Sequence, residues 1–277
     1  MESGVNFVFR VVMPCGGALK DVSASLESVN SVAVCIPNSR FIVYRTFNNG
    51  LKPPIGREPS YDRLEIQDFD INPERSAALA RNRVLDEISK LSGETIGHFK
   101  DYTVFLDSGD LLLPDLITQV VSGEFQGHDV IVGSAVIKAQ DHSYERIRVP
   151  LLFRHIMNPI YLGSALVRTS IVISERFVIG RKEDWKFWLA ILNQNPMLCH
   201  SNSKNYIYSI RDRRNHMMRK GRLVRHQFHF YRYHLRFGLV KSLLMLLLHY
   251  FGVLIVWWVI MPIKLSVKIN GIKRKSK

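Results

Sequence analysis

The sequence predicts an α/β domain with a mostly parallel central sheet flanked by helices, followed by a basic helical tail. Three observations carry this reading. Apolar runs of strand length alternate with stretches of helical period along residues 7–192. The runs end on proline, glycine or acidic residues, as strands do where they leave a buried sheet. The charge is also divided: residues 1–204 hold 22 Lys+Arg and 23 Asp+Glu, whereas residues 205–277 hold 16 Lys+Arg and a single acid, Asp212. A neutral domain with a basic, membrane-proximal tail fits that division, and a uniformly basic nucleic-acid binder does not. With 277 residues, 47% of them hydrophobic, there is material for one large or two small domains around a sizeable core.

Taken in order, Phe7–Met13 (FVFRVVM) reads as a buried strand closed by Pro14 and Gly16-Gly17. The start MESGVNFVFRVVMP lacks a charged region followed by a long apolar run, so it reads as a first strand and not as a signal peptide. Lys20–Asn30 places Val22, Leu26 and Val29 at helical spacing, and Ser39–Tyr44 gives a second strand. Asn48–Pro59 is a loop rich in Asn, Gly and Pro. Asn72 is a good N-cap and Pro73 suits the first position of a helix whose stripe is Ala77, Leu79, Ala80, Val84 and Ile88. The run YTVFL (102–106) is the next strand, and HDVIVGSAVIK (128–138) another. Ser164–Ile173 and Phe177–Ile179 are shorter apolar pieces, and Glu183–Leu192 is a helix with two acids in its first turn. Cys15, Cys35 and Cys199 lie far apart, which gives no disulfide framework and no paired-cysteine metal spacing. A reducing compartment is the default.

In parallel sheets ligands bind beyond the carboxyl ends of the strands. Asp107 and Asp110 lie at such an end. Two acids in a glycine-tightened turn can hold a divalent cation and bridge it to a substrate's phosphates. They can equally form a solvated turn that caps the following segment. Glu183 and Asp184 divide the same way. The helix dipole alone favours acids in a first turn, yet a carboxylate walled by Trp185, Phe187 and Trp188 has the desolvation a general base needs. Arg81, in the alanine-rich ALARN segment, is either solvated or, beside a cleft, a phosphate ligand.

The order VVMPCGG, ALARN, FLDSGDLLLPD, EDWKFWL resembles the family 2 glycosyltransferases, over roughly residues 6–216. That resemblance implies the GT-A nucleotide-diphospho-sugar transferase fold and inverting transfer from a nucleotide sugar. By the same resemblance Pro14 and its loop border the nucleotide and Arg81 assists its binding. Asp107 and Asp110 sit at the metal, Mg²⁺ or Mn²⁺, and the diphosphate. Asp184 is the base that deprotonates an acceptor hydroxyl, with Glu183 as its neighbour. NYIYSIRDRRNHMM (205–218) is similar to the late loop that closes over the donor, where Arg213, Arg214 and His216 become phosphate or metal contacts. Two departures stand out. No acid occurs in YRTFNNG (44–50), where the family carries a pair, and Gly109 replaces a usual metal-binding acid. They motivate the alternative of a catalytically impaired, membrane-bound scaffold or partner protein.

Residues 242–263 (SLLMLLLHYFGVLIVWWVIMPI) form 22 positions without formal charge, between Arg236/Lys241 and Lys264/Lys268. That length allows a spanning helix. Positive charge on both sides suits a shallow insertion into one anionic leaflet. A buried helix or a homodimer contact is the third reading. The domain division expected is 1–216 catalytic and 217–277 tail. The partners expected are a nucleotide-sugar donor, a glycan or lipid-linked glycan acceptor of surface polysaccharide synthesis (capsule, O-antigen or lipooligosaccharide), and anionic lipids. No nucleic acid is expected, since the core lacks any such motif. The location implied is the cytoplasmic face of the inner (plasma) membrane.

Overall fold

The computed structural model describes residues 7–16, 19–48, 61–71, 76–91, 100–139, 142–145, 151, 154–155, 158–180, 182–210 and 227–255. The chain divides into two compact units, Met1–Pro150 with Asn158–Arg211, and Leu151–Met157 with Asp212–Lys277.

In chain order the first unit runs β1 (Phe7–Cys15), α1 (Leu19–Cys35), β2 (Ser39–Asn48), β3 (Leu64–Ile71), α2 (Ala77–Leu91), β4 (Lys100–Phe105), β5 (Leu111–Leu112) and α3 (Pro114–Val121). It continues with β6 (Val130–Ala139), β7 (His142–Glu145), a 3₁₀ turn Leu162–Ser164, β8 (Ala165–Arg168), α4 (Thr169–Val172), α5 (Glu183–Asn193) and β9 (Leu198–Ile210). All nine strands form one sheet in the order β3-β2-β1-β4-β8-β6-β9-β5, with β7 pairing β6.

The sheet is mixed, which corrects the expectation of mostly parallel strands. β1 to β4 are parallel to one another, as is β6 to β9. The pairs β4–β8, β6–β8, β6–β7 and β5–β9 are antiparallel. Parallel pairing needs a crossover connection, usually a helix. The helix–strand alternation lasts only to β4, and the short strands beyond it reverse direction.

Every residue of β1 is buried, as a strand covered on both faces must be. On one face Phe9, Val11, Met13, Phe41, Val43 and Val104 pack with Val22, Leu26 and Val29 of α1 and Leu116, Ile117 and Val120 of α3. The opposite face carries Phe105, which meets Phe177 and Phe187 edge-on at 5.2 and 5.4 Å, while those two rings stack at 4.0 Å. A buried polar network crosses that face. Arg10 of β1 donates from Nε and Nη2 to Asp101 of β4 at 2.8–3.1 Å, and from Nη1 to the Tyr44 hydroxyl of β2 at 2.6 Å. Thr169 of α4 donates to the same Asp101.

Several boundaries differ from those expected. β1 continues through Pro14 and Cys15, which pair with Thr46 and Phe47 of β2. Proline is tolerated there because position 14 faces the same side as Val12, toward β4, and pairing to β4 ends at Val12–Phe105, so the missing N–H leaves no ladder acceptor unpaired. β2 runs on to Asn48 through the stretch read as acid-poor. Its partner β3 was not anticipated; it brings Asp68 into register with Arg45, whose guanidinium donates to it at 2.8 and 3.0 Å. α2 begins at Ala77, and Ser76 takes the cap position, its Oγ accepting from the Leu79 N–H at 3.4 Å. Asn72, Pro73 and residues 49–60 lie outside the described residues. The start of the expected donor loop, residues 205–210, is the end of β9.

In the second unit, residues 230–234 form a π-helical turn closed by the Leu235 N–H on Phe230 C=O at 3.1 Å. Helix α6 (Leu239–Ile255) follows. Among the described residues no helix is long and apolar enough to cross a membrane. Residues 256–263 of the apolar segment lie outside the description.

Candidate active site

Where β4 ends, Leu106 donates its N–H to Val12 C=O at 3.0 Å, and the chain turns at once. The turn Asp107–Asp110 is closed by the Asp110 N–H on Asp107 C=O at 3.0 Å. Gly109 takes φ +97°, which a side chain at that position opposes. The Gly109 N–H donates to Ser25 Oγ at 2.8 Å, and Ser25 Oγ lies 2.8 Å from Asp110 C=O, so buried Ser25 of α1 clamps the turn. Glycine is there for conformation, and an acid in its place would strain the backbone.

The two acids of the turn have opposite environments. Asp107 is 45% exposed. Asp110 is 4% exposed, and its oxygens accept from the Tyr206 hydroxyl and, at 3.0 Å, from the Ser209 N–H. Burial pushes the Asp110 carboxyl up to about 6, against the opposing pull of those two hydrogen bonds.

Arg81 joins the separate segments. It is buried within α2, with its guanidinium 5.1 Å from the centroid of the Phe177 ring. Nη2 donates to Asp107 Oδ1 at 2.6 Å and Nη1 to Glu183 Oε1 at 2.8 Å. Burial works against its charge, but the two carboxylates outweigh it and tighten its hold on the proton. Asn82, next on the helix, is used structurally: its amide exchanges hydrogen bonds with the Phe177 backbone at 2.9 and 2.7 Å.

Glu183 and Asp184 open α5 immediately after Lys182, which sits in the left-handed region at φ 59°. Burial raises both carboxyls. For Asp184 the opposing influences are the Trp185 N–H and the charge of Arg81, and Asp107 adds to the upward shift. Asn158 donates from Nδ2 to Asp184 Oδ2 at 2.8 Å, while the Ile160 N–H donates to Asn158 Oδ1 at 3.3 Å and fixes the amide's orientation. The Tyr208 phenol is raised by burial first, and then by the charges of Asp110, Tyr161, Asp107 and Asp184. Tyr208 stacks on Tyr161 at 5.9 Å and on Tyr206 at 6.4 Å. Lys182, 4.8 Å from the Trp185 ring centroid, is pushed down to about 8 by burial, against the attraction of Asp184.

The structure therefore brings Arg81, Asp107 and Glu183 together by direct hydrogen bonds, with Asp184 in the same electrostatic cluster. Asp110 lies beneath the turn. Pro14 is buried two residues past Val12, the partner of Phe105. Arg213, Arg214 and His216 lie outside the described residues. Asn158, Tyr206 and Tyr208 were not singled out from sequence. The i, i+2 spacing of the two tyrosines was the available signal, since it puts both on one face of a strand.

Among the described residues no group of three or more His, Cys, Asp or Glu forms a metal-holding cluster. The donor set fits a hard divalent cation through Asp107, because such ions are commonly held by one or two carboxylates together with substrate phosphates. Asp110 does not fit as a ligand in this arrangement, since its oxygens already accept hydrogen bonds.

No protein-family model and no curated protein matches the chain. Solved structures do. The mannosyltransferase PcManGT from Pyrobaculum calidifontis, solved with GDP-Man and Mn²⁺, superposes with a TM-score of 0.53 at 14% identity, over 86% of this chain and 69% of that one. TarS 1–349 of S. aureus matches with a TM-score of 0.49 at 13% identity, over 74% of this chain and 60% of that one. The chain thus shares its fold with the mannosyltransferase, and it spans about three-fifths of the TarS fragment's length.

Proposed function

We propose that this chain transfers a sugar from a nucleotide-diphosphate donor to a hydroxyl of a glycan acceptor, with inversion and with Asp184 as general base. The observation that carries the reading is the Arg81 bridge. It ties the acidic turn at the end of β4 to the start of α5, so the Asp107 carboxylate and the desolvated Asp184 share one place, the arrangement a donor diphosphate beside a general base calls for. The glycosyltransferase fold supports it, as does the GDP-Man held by a structural neighbour.

In the reaction Asp184 accepts the proton of the acceptor hydroxyl. The hydroxyl oxygen forms its bond to the anomeric carbon as the bond to the diphosphate breaks, and that electron pair leaves with the diphosphate. Asn158 holds Asp184 Oδ2 and so fixes the orientation of the carboxylate that takes the proton. Arg81 pairs with both Asp107 and Glu183 and so offsets part of the negative charge beside Asp184. A divalent cation held by Asp107 and the donor's phosphates would supply charge stabilisation at the leaving diphosphate. We assign the acceptor to lipid-linked glycans of surface polysaccharide synthesis at the cytoplasmic face of the plasma membrane, because the tail is apolar and basic.

Gly109 no longer argues for a catalytically impaired scaffold, since its backbone conformation accounts for it. Asp184→Asn is expected to lower transfer by about 10²–10⁴-fold, the usual worth of a general base. Calorimetry should show its binding of UDP or GDP with Mn²⁺ unchanged. Retained turnover would remove Asp184 from the chemistry, and failure of the parent chain to bind either nucleotide, with or without metal, would sink the whole reading.

A further inference from the structure

Helix α6 turns apolar residues both toward its own unit and away from it. Ser242 is fully buried, its N–H on Gly238 C=O at 2.9 Å and its Oγ on Phe237 C=O at 3.3 Å. That side is tied down, with Phe237 stacked on Tyr231 at 6.4 Å and Lys241 held 4.2 Å from the Phe237 ring centroid. The other side exposes Val240 (80%), Leu243, Leu244, Leu247 (68%), Leu248 and Phe251 (63%). The spacing i, i+3, i+4, i+7, i+8, i+11 makes these one continuous stripe. On a helix facing water that stripe would be polar, and an open apolar stripe of this size marks an interaction surface.

Charge decides what covers it. Arg232 and Arg236, just before α6, and Lys241, in its first turn, are exposed, and no acid occurs anywhere in residues 213–277. A second copy of the chain would bring like charges together, and the sequence of residues 256–277 adds six more bases. An anionic lipid surface satisfies both features, apolar side chains entering the acyl boundary and bases meeting headgroups. We infer that α6 docks lengthwise on an anionic bilayer, its open stripe immersed and its opposite face held by the protein. A helix packed on one side by its own unit lies in one leaflet and does not cross. This inference is independent of the sugar-transfer reading.

The test is co-sedimentation of the full chain with vesicles of phosphatidylglycerol and phosphatidylcholine, against vesicles of phosphatidylcholine alone. Binding to the anionic vesicles should exceed binding to the neutral ones by about tenfold or more and should weaken as salt is raised. The double variant Val240→Glu, Leu247→Glu should lose about tenfold in partitioning, with the far-ultraviolet dichroism spectrum unchanged because both sites are exposed. Wild-type binding by that variant overturns the inference. So does a vesicle-indifferent parent chain, or a dimer in light scattering that the two substitutions dissociate.

Discussion

Gly109 shapes the acidic turn more than either acid does. At φ +97° it lets Asp107 point outward while Asp110 folds under. Restoring the acid with Gly109→Asp is therefore expected to destabilise the protein by roughly 1–2 kcal/mol, the cost of a side chain in the left-handed region. Urea denaturation measures that loss, and a Mn²⁺ titration of the variant should show no tighter site. A stable variant with improved metal binding would mean that the turn relaxes freely. Single residues were unevenly legible in the sequence. Asp107 and Asp184 stood out because each sits at an element boundary next to an apolar run. Asn158 and Tyr206 did not, because their partners Asp184 and Asp110 lie 26 and 96 positions away and nothing local marks either as a ligand.

Among the elements, β1, α2 and α5 were legible because each buries a continuous apolar run or stripe. β3 and β9 were not. β3 alternates between partly buried and exposed positions, and its acids Glu65, Asp68 and Asp70 obscure the strand pattern. β9 begins LCHSNSKN, whose polar residues signal a loop, and it pairs with β6 through register shifts near Ser134. Packing between elements explains Gly163 in the 3₁₀ turn: a Cβ there would overlap the Tyr206 ring of β9. Gly163→Ala should cost about 1–3 kcal/mol through overpacking. It should also free Asp110 from the Tyr206 hydroxyl, which nuclear magnetic resonance titration of that carboxyl would register. An unchanged unfolding midpoint would show that the ring has room to move.

At the scale of the whole molecule, the mixed right half of the sheet is what composition and periodicity concealed, since strand direction depends on connections and not on residue type. Stability as a whole should respond to Asp110. Its proton is held up to about 6 in the fold against an ordinary 3.8, so the folded state binds it more tightly than the unfolded chain does. That contribution, about 3 kcal/mol, is fully present below pH ~4 and is lost as pH rises through ~6. Asp110→Asn stays neutral throughout, so its stability relative to the parent should improve between pH 4 and pH 7. Denaturation curves at the two pH values would show this, and an equal difference at both would contradict it. The Arg10 network has a consequence for how the parallel half assembles. Strands rich in Val and Phe can pair in several alignments of nearly equal hydrophobic gain, but Arg10 meets Asp101 and Tyr44 in only one of them. A shift of one residue would carry the guanidinium to the opposite face and leave Asp101 in the interior without its counter-charge. The penalty for that error makes the three strands an alignment gauge, so the geometry at their carboxyl ends, where Asp107 emerges, is fixed before any substrate arrives.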